Sequence, residues 1–174
     1  MTRRNPWLLV PLLLFVGFVF AVGWRLSDPP DPTVHSRMVG RALPVFVLPA
    51  AVPGKTGLAS TDDGPRLINL FASWCVPCIA EMPMLEQLRA EGVRIDGIAI
   101  RDNAPDIAAF LTRHGDPFDR IGADPQSQTQ IALGSAGVPE TFLIDRRGII
   151  RLQHVGPITA TDLPELRDAW RAAQ

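Results

Sequence analysis

Residues 7–24, WLLVPLLLFVGFVFAVGW, form an unbroken uncharged run between Arg4 and Arg25. As a helix rising about 1.5 Å per residue it nearly spans the roughly 30 Å hydrocarbon layer of a bilayer. A cleaved signal peptide is the competing reading. Such peptides carry apolar cores of about 7–15 residues and a small-residue cleavage site, and no such site precedes Ser27. The pattern therefore predicts an uncleaved N-terminal transmembrane helix over residues 1–26. A buried core helix is disfavoured because no face of the run is polar. Arg3, Arg4 and the α-amine precede the span and only Arg25 follows closely, which orients the N-terminus to the cytoplasm. In a Gram-negative cell the rest of the chain then lies in the periplasm. Trp7 and Trp24 bracket the span as interfacial aromatics do.

Residues 27–33 read SDPPDPT, a Pro/Asp run that supports neither helix nor central strand. Residues 27–38 are thus expected to be an extended linker, and residues 39–174 a folded domain. Residues 42–48 (ALPVFVL) have strand character, and the glycines and prolines of 49–65 leave room for one hairpin. A buried strand is predicted at 66–72 (RLINLFA). A helix follows at 78–90, where Ile79, Met82, Leu85 and Leu88 recur every three residues. Residues 93–100 (VRIDGIAI) alternate as a strand does, and 104–114 read as a helix stopped by Gly115. A short strand at 118–121 and a short helix at 125–133 come next. Strands at 141–144 and 149–155 are joined through Asp145-Arg146-Arg147-Gly148, a hairpin with glycine ending its turn. The closing helix, 161–173, has Thr161 as expected N-cap and Pro164 in its first turn. Strands separated by helical crossovers and followed by a hairpin predict an α/β domain, a mixed β-sheet flanked by helices on both faces.

Composition narrows the function classes. The 174 residues carry 17 basic and 18 acidic groups. With three arginines before Asp28, residues 27–174 hold 14 basic against 18 acidic side chains, a net of about −4 that gives no electrostatic reason to bind nucleic acid. The 17 prolines are roughly twice the usual share of about 5% and favour short, punctuated elements. The two cysteines, Cys75 and Cys78, are too few for a disulfide framework, but their C-x-x-C spacing marks a redox motif.

Cys75 lies where a predicted buried strand turns into a helix. The unpaired N–H groups and the dipole of a helix start lower a thiol pKa from about 8.5 toward 7 or below. Cys75 is therefore expected to be the exposed attacking thiolate, and Cys78, one turn on, the more buried resolving thiol. Other readings of the pair are weaker. A zinc site needs four ligands, and His35, His114 and His154 stand singly without metal spacing, so no metal is expected. A structural staple across this spacing closes almost no loop.

Trp74-Cys75-Val76-Pro77-Cys78 after a β-run, Pro83 eight positions after the first cysteine, and Val138-Pro139 followed by Glu-Thr-Phe-Leu-Ile-Asp resemble the thioredoxin superfamily. The run from Asn69 to Cys78 with Glu81, and the run from Gly134 to Phe142, resemble more narrowly the membrane-tethered thiol:disulfide interchange proteins of cytochrome c biogenesis, the DsbE/CcmG type. Asn69 stands where general thioredoxins carry a buried aspartate, as in that group, whereas Ser135 replaces a valine frequent there. The resemblance covers about residues 40–174 and implies a thioredoxin-like fold. It implies a cis Pro139 beside the dithiol, with the Val138 backbone offered to an extended substrate strand. Glu81 and Glu140 resemble the acidic residues of the family's active-site groove, which tune thiols or relay a proton. For Glu81 a solvated helix face is the alternative. Trp74 either shields the sulfurs or packs simply, and Pro77 sits between the cysteines.

The resemblance implies a thiol:disulfide oxidoreductase of the inner membrane, single-pass, with its catalytic domain in the periplasm. Its implied task is to reduce the haem-binding C-x-x-C-H disulfide of apocytochrome c, or of a haem-ligation partner. A membrane electron donor of the DsbD/CcdA kind would re-reduce it, and it would need no cofactor beyond its Cys75–Cys78 redox disulfide. A general periplasmic reductase or isomerase is the neighbouring reading. A thioredoxin-like copper-binding assembly factor is the reading from another class, but such factors generally space two cysteines by three residues and add a histidine.

Overall fold

The computed structural model describes residues 10–27, 38–61 and 64–174. Arg3, Arg4, Trp7, His35 and nearly all of the expected linker lie outside the described residues. The chain divides into two units, residues 1–34 and 35–174. In the first, helix α1 runs Val10–Ser27 over 18 residues. Among the described residues no helix is long and apolar enough to cross a membrane. The first nine residues of the expected 1–26 span fall outside the described part of the chain.

In the second unit, five strands form one sheet in the order β5-β4-β3-β6-β7. β3 (Arg66–Phe71), β4 (Ile95–Ile100) and β5 (Arg120–Asp124) are parallel, whereas β6 (Glu140–Ile144) and β7 (Ile150–Val155) are antiparallel. Every residue of β3, β4 and β6 is buried, so these strands read as apolar runs more than as amphipathic ones. The period of two still sorts their side chains. Leu67 and Phe71 face one core cluster with Ile95, Ala99 and Leu143, while Ile68 and Leu70 face the other with Ile98, Phe142 and Ile144.

Helices flank both faces of the sheet, but unevenly. α2 (Val76–Ala90), α3 (Ala104–His114) and α5 (Leu163–Ala173) all bury their apolar stripes in the first cluster. The reason lies in strand order. The crossovers from β3 through α2 to β4, and from β4 through α3 to β5, step the same way across the sheet, and right-handed crossovers then put both helices on one side. The opposite face is covered by Leu43, Phe46 and Leu58 of the segment before β3, and by Leu133 after the short α4 (Gln128–Ala132).

That segment acts as a strap. At one sheet edge Gly40 N–H donates to the Ile150 carbonyl at 2.8 Å, and Ile150 N–H donates to the Arg41 carbonyl at 2.9 Å. At the other edge Ala51 N–H donates to the Ile121 carbonyl and Ala123 N–H to the Pro49 carbonyl, each at 2.9 Å. Between the two edges Leu43 and Phe46 are buried against the sheet. The expected 42–48 strand shrinks to β1 (Val47–Leu48), which pairs antiparallel with β2 (Leu58–Ala59), because Ala42 is used in a bridge to Ile149 instead.

Element ends shift for local reasons. α2 starts two residues early, since Pro77 fits the first turn, where a missing N–H costs nothing. α5 starts at Leu163, not 161, with Asp162 in place of Thr161 at its cap position. The Asp162 carboxylate instead accepts from the N–H and hydroxyl of Thr159 at 2.7 and 2.6 Å. The expected strand at 118–121 lies two to three residues later, as β5, and Phe118 before it is fully buried against Phe71, with ring centroids 4.7 Å apart. α4 is shorter than expected, and the Asp124 carboxylate holds its start by accepting from Gln128 and Gln130 N–H, both at 2.9 Å.

Gly97 makes the Phe71–Phe118 stack possible. A Cβ there would lie 2.8 Å from Phe71 Cε1 and 3.1 Å from Phe118 Cδ1, closer than packed carbon atoms approach. Gly97→Ala is expected to lower unfolding free energy by about 1–3 kcal/mol, the usual cost of overpacking a filled core. Urea denaturation of the oxidised protein measures this, and an unchanged midpoint would show that the ring pair yields freely.

Candidate active site

Strand β3 ends at Phe71 and leads through the buried Ala72 into a tight turn, in which Cys75 N–H donates to the Ala72 carbonyl at 3.1 Å. Cys75 is the N-cap of α2 in extended conformation, and the Cys78 N–H donates to its Sγ at 3.2 Å. The sulfur thus occupies the position that an N-cap hydroxyl or carboxylate usually fills. Cys75 and Cys78 are joined by a disulfide, with Cα atoms 5.3 Å apart. Cys75 is 4% exposed and Cys78 0%, so the first cysteine is the more accessible of a largely covered pair.

The other predicted residues are distributed around this junction. Trp74 is 60% exposed and its indole N–H donates to the Arg101 carbonyl at 3.3 Å. Pro77 is exposed in the first turn of α2, and the helix continues through Pro83. The Val138–Pro139 bond is cis, and Val138 packs against the cluster that contains both cysteines. The Pro139 carbonyl accepts from Gly156 N–H at 3.0 Å. Glu140 is buried, and its carboxylate accepts a hydrogen bond from the Gln153 side-chain amide.

Glu81 lies beneath the dithiol on the buried face of α2, with 0% exposure, which removes the solvated-face alternative. One carboxylate oxygen accepts from Asn69 Nδ2 at 3.0 Å and the other from Ile158 N–H at 3.0 Å. The same Asn69 nitrogen donates to Thr141 Oγ1 at 2.9 Å, while Asn69 Oδ1 is buried without a partner. Burial pushes the Glu81 carboxyl up to about 7, and the hydrogen bonds from Asn69 and Ile158 oppose that shift only in part. A group titrating there can take or give a proton at neutral pH.

Sequence reasoning missed the turn after β4. The Asp102 carboxylate accepts from Ser73 N–H at 2.6 Å, from the Ser73 hydroxyl at 3.0 Å and from Asn103 N–H at 2.8 Å. The available signal was positional. β3 and β4 are parallel neighbours, so residues just past their C-terminal ends meet at one end of the sheet, where sites in α/β folds gather. Among the described residues no group of three His, Cys, Asp or Glu side chains is placed to hold a metal ion.

A dithiol at a helix start, beside a cis-proline loop on a mixed five-stranded sheet, defines a thioredoxin-like thiol:disulfide oxidoreductase. Residues 38–169 match the Redoxin family, and the chain belongs to it, within the DsbE type of thiol:disulfide interchange proteins. It is 40% identical to a thiol:disulfide interchange protein DsbE homolog of Paracoccus denitrificans, over 99% of each chain. It is 36% identical to the thiol:disulfide interchange protein DsbE of Escherichia coli strain K12, over 87% of this chain and 85% of that one. A solved structure assigned to a thiol:disulfide interchange protein DsbE from Chlorobium tepidum superposes with a TM-score of 0.62 at 30% identity, over 78% of this chain and 96% of that one.

The raised Glu81 pKa has a signed consequence for stability. Below about pH 4.5 the carboxyl is protonated in both folded and unfolded chains. Between there and about 7 only the unfolded chain ionises, so unfolding releases a proton and stability falls as pH rises. The loss is on the order of 3 kcal/mol and is complete above the folded pKa. Glu81→Gln should abolish this slope, since a carboxamide does not titrate in this range, and a turn of the Asn69 amide presents its unpartnered Oδ1 to the glutamine NH2 group. Denaturant unfolding at pH 4.5 and 8 should therefore show the variant gaining on the parent as pH rises. Parallel pH profiles would contradict the raised pKa.

Proposed function

We propose that the chain is a membrane-anchored periplasmic reductant of cytochrome c maturation. In this reading residues 1–26 are the anchor, 27–38 the linker and 39–174 the catalytic domain. The apolar, uncharged run from Trp7 to Trp24 supports the anchor, and the cytoplasmic N-terminus follows from Arg3 and Arg4. The observation that carries the chemistry is the Cys75–Cys78 pair at the start of α2, with Cys75 outermost and acting as N-cap.

In the reduced protein the Cys75 sulfur, stabilised as thiolate by the Cys78 N–H and the helix dipole, attacks one sulfur of a client disulfide. The Cys75–client bond forms as the client S–S bond breaks, and the first client thiolate takes up a proton. Cys78 then loses its proton to Glu81, one helical turn on, and attacks the Cys75 sulfur. The second client thiolate leaves. Two electrons pass to the client, and the Cys75–Cys78 disulfide remains. Asn69 and Ile158 hold the Glu81 carboxylate while it carries the proton. The Val138–Pro139–Glu140 loop supplies backbone groups to the client strand, and Trp74 and Pro77 border the attacking sulfur.

The client is the haem-binding C-x-x-C-H disulfide of apocytochrome c, or a haem-ligation component carrying the same electrons, because haem attachment needs free thiols. Its surroundings are oxidising, so the dithiol must be restored by a membrane electron donor of the DsbD/CcdA kind. The dithiol is the whole redox equipment; no cofactor takes part. Similarity to DsbE proteins over nearly the full chain supports this assignment.

Cys75→Ser is expected to abolish disulfide reduction, and retained activity would overturn the mechanism. Cys78→Ser in the full-length membrane protein removes the resolving thiol, so clients accumulate as mixed disulfides on Cys75 and are identified by mass spectrometry. Apocytochrome c or haem-ligation proteins in the trap, with the membrane donor, are the expected result. A broad spread of exported proteins would instead make the chain a general reductase or isomerase.

A further inference from the structure

Trp74 is a large exposed ring held by a specific device. Its indole borders an open groove of about 250 Å³ between the active-site turn and α3, so packing alone does not enclose it. The hydrogen bond from its N–H to the Arg101 carbonyl fixes it instead. That carbonyl belongs to a residue in the left-handed region, φ 49°, a conformation uncommon for a side-chain-bearing residue. Arg101 is secured there by its N–H to the Asp124 carbonyl at 3.2 Å and by its Nε to Ser127 Oγ at 2.9 Å. The next residue, Asp102, grips the backbone and hydroxyl of Ser73, the neighbour of Trp74.

We propose that Asp102 is a positioning residue for disulfide exchange: with the Arg101 carbonyl it clasps Ser73–Trp74, presetting the indole as a rigid contact for the polypeptide flanking the client disulfide. This inference rests on the reading that Cys75 attacks such a client. Asp102 touches no reacting atom. Its bonds to Ser73 are charge-assisted and act two residues before Cys75, which favours a short and fixed turn. Loss of Asp102 loosens the Ser73 turn that aligns the indole N–H with the Arg101 carbonyl, and a loosened indole has to be immobilised each time a client covers it. The clasp removes that need before the client arrives. The effect belongs to binding more than to the sulfur chemistry.

The test uses the reduced full-length protein in detergent and a synthetic peptide with an intramolecular Cys-x-x-Cys disulfide, in single-turnover reactions over a range of peptide concentrations. Asp102→Ala is expected to raise the half-saturating peptide concentration about two- to tenfold, the equivalent of one newly immobilised side chain, while the limiting rate stays within about twofold. Asp102→Asn keeps one carbonyl oxygen for the Ser73 hydroxyl and Asn103 N–H, and should give a smaller rise. It serves as the test should the alanine variant fail to fold. An unchanged half-saturating concentration, or a loss confined to the limiting rate, overturns the inference and leaves the proposed function standing. A parent protein that reduces the peptide at no concentration overturns both.

Discussion

The first N–H groups of a helix lack partners within it and need acceptors from outside, and at the start of α2 this constraint organises the site. Cys75 meets it by capping α2 with sulfur: the Cys78 N–H finds its acceptor in Cys75 Sγ at 3.2 Å. The same bond places the nucleophile where the helix dipole favours negative charge. Because β3 is buried on both faces, its end is fixed by pairing with β4 and β6, and the turn from Ala72 to Cys75 has little freedom. The position of the sulfur therefore follows from sheet pairing, and the loops from β4 and into β6 need only be short to reach it.

Beneath the dithiol the molecule accepts an unfavourable term. Glu81 has no solvent contact and only two hydrogen-bond donors, both neutral. Neutral donors offset part of the desolvation of a carboxylate and leave its pKa near neutrality. A cationic partner would have offset more and pinned the group in its charged form. Asn69 supplies an amide where an acid would have competed with Glu81 for the same proton, and it adds a bond to Thr141 that ties Glu81 to β6. The strand that follows cis Pro139 and the helix that carries Cys78 are thereby joined through one side chain.

Much of this was legible in the sequence, and the gaps have physical causes. The strand at β3 is legible as an apolar run, since burial on both faces leaves no alternation, whereas β4 is legible from its alternating positions and α3 from its helical pattern and glycine stop. The reading of α2 as repeating every three residues selected Ile79, which is only half-buried. The stripe that is buried runs Cys78, Glu81, Met82, Leu85, Leu88, with a carboxylate inside it. The charge of Glu81 left a solvated face open as the alternative to a groove residue, and its full burial removes that alternative. The one-sided placement of α2, α3 and α5 depended on strand order, which no local pattern encodes. Asp102 was invisible for a related reason: it is 29 residues from Ser73 and meets it only when β3 and β4 pair.

The strap across the sheet has a consequence beyond covering the core. Exposed strand edges are templates on which a second chain can add, and they are the usual starting point of aggregation. Here residues 49–51 occupy the outer edge of β5, and residues 40–42 occupy the first rungs of β7. The rest of β7 carries Arg151, Gln153 and His154 and pairs with β6 through a register shift, features that discourage a flat, sticky rim. Both rims are thus blunted by a single stretch of about twelve residues, 40–51, which contains none of the dithiol-site residues. Insertions or cuts within that stretch would spare every residue of the dithiol site and still release a self-associating protein.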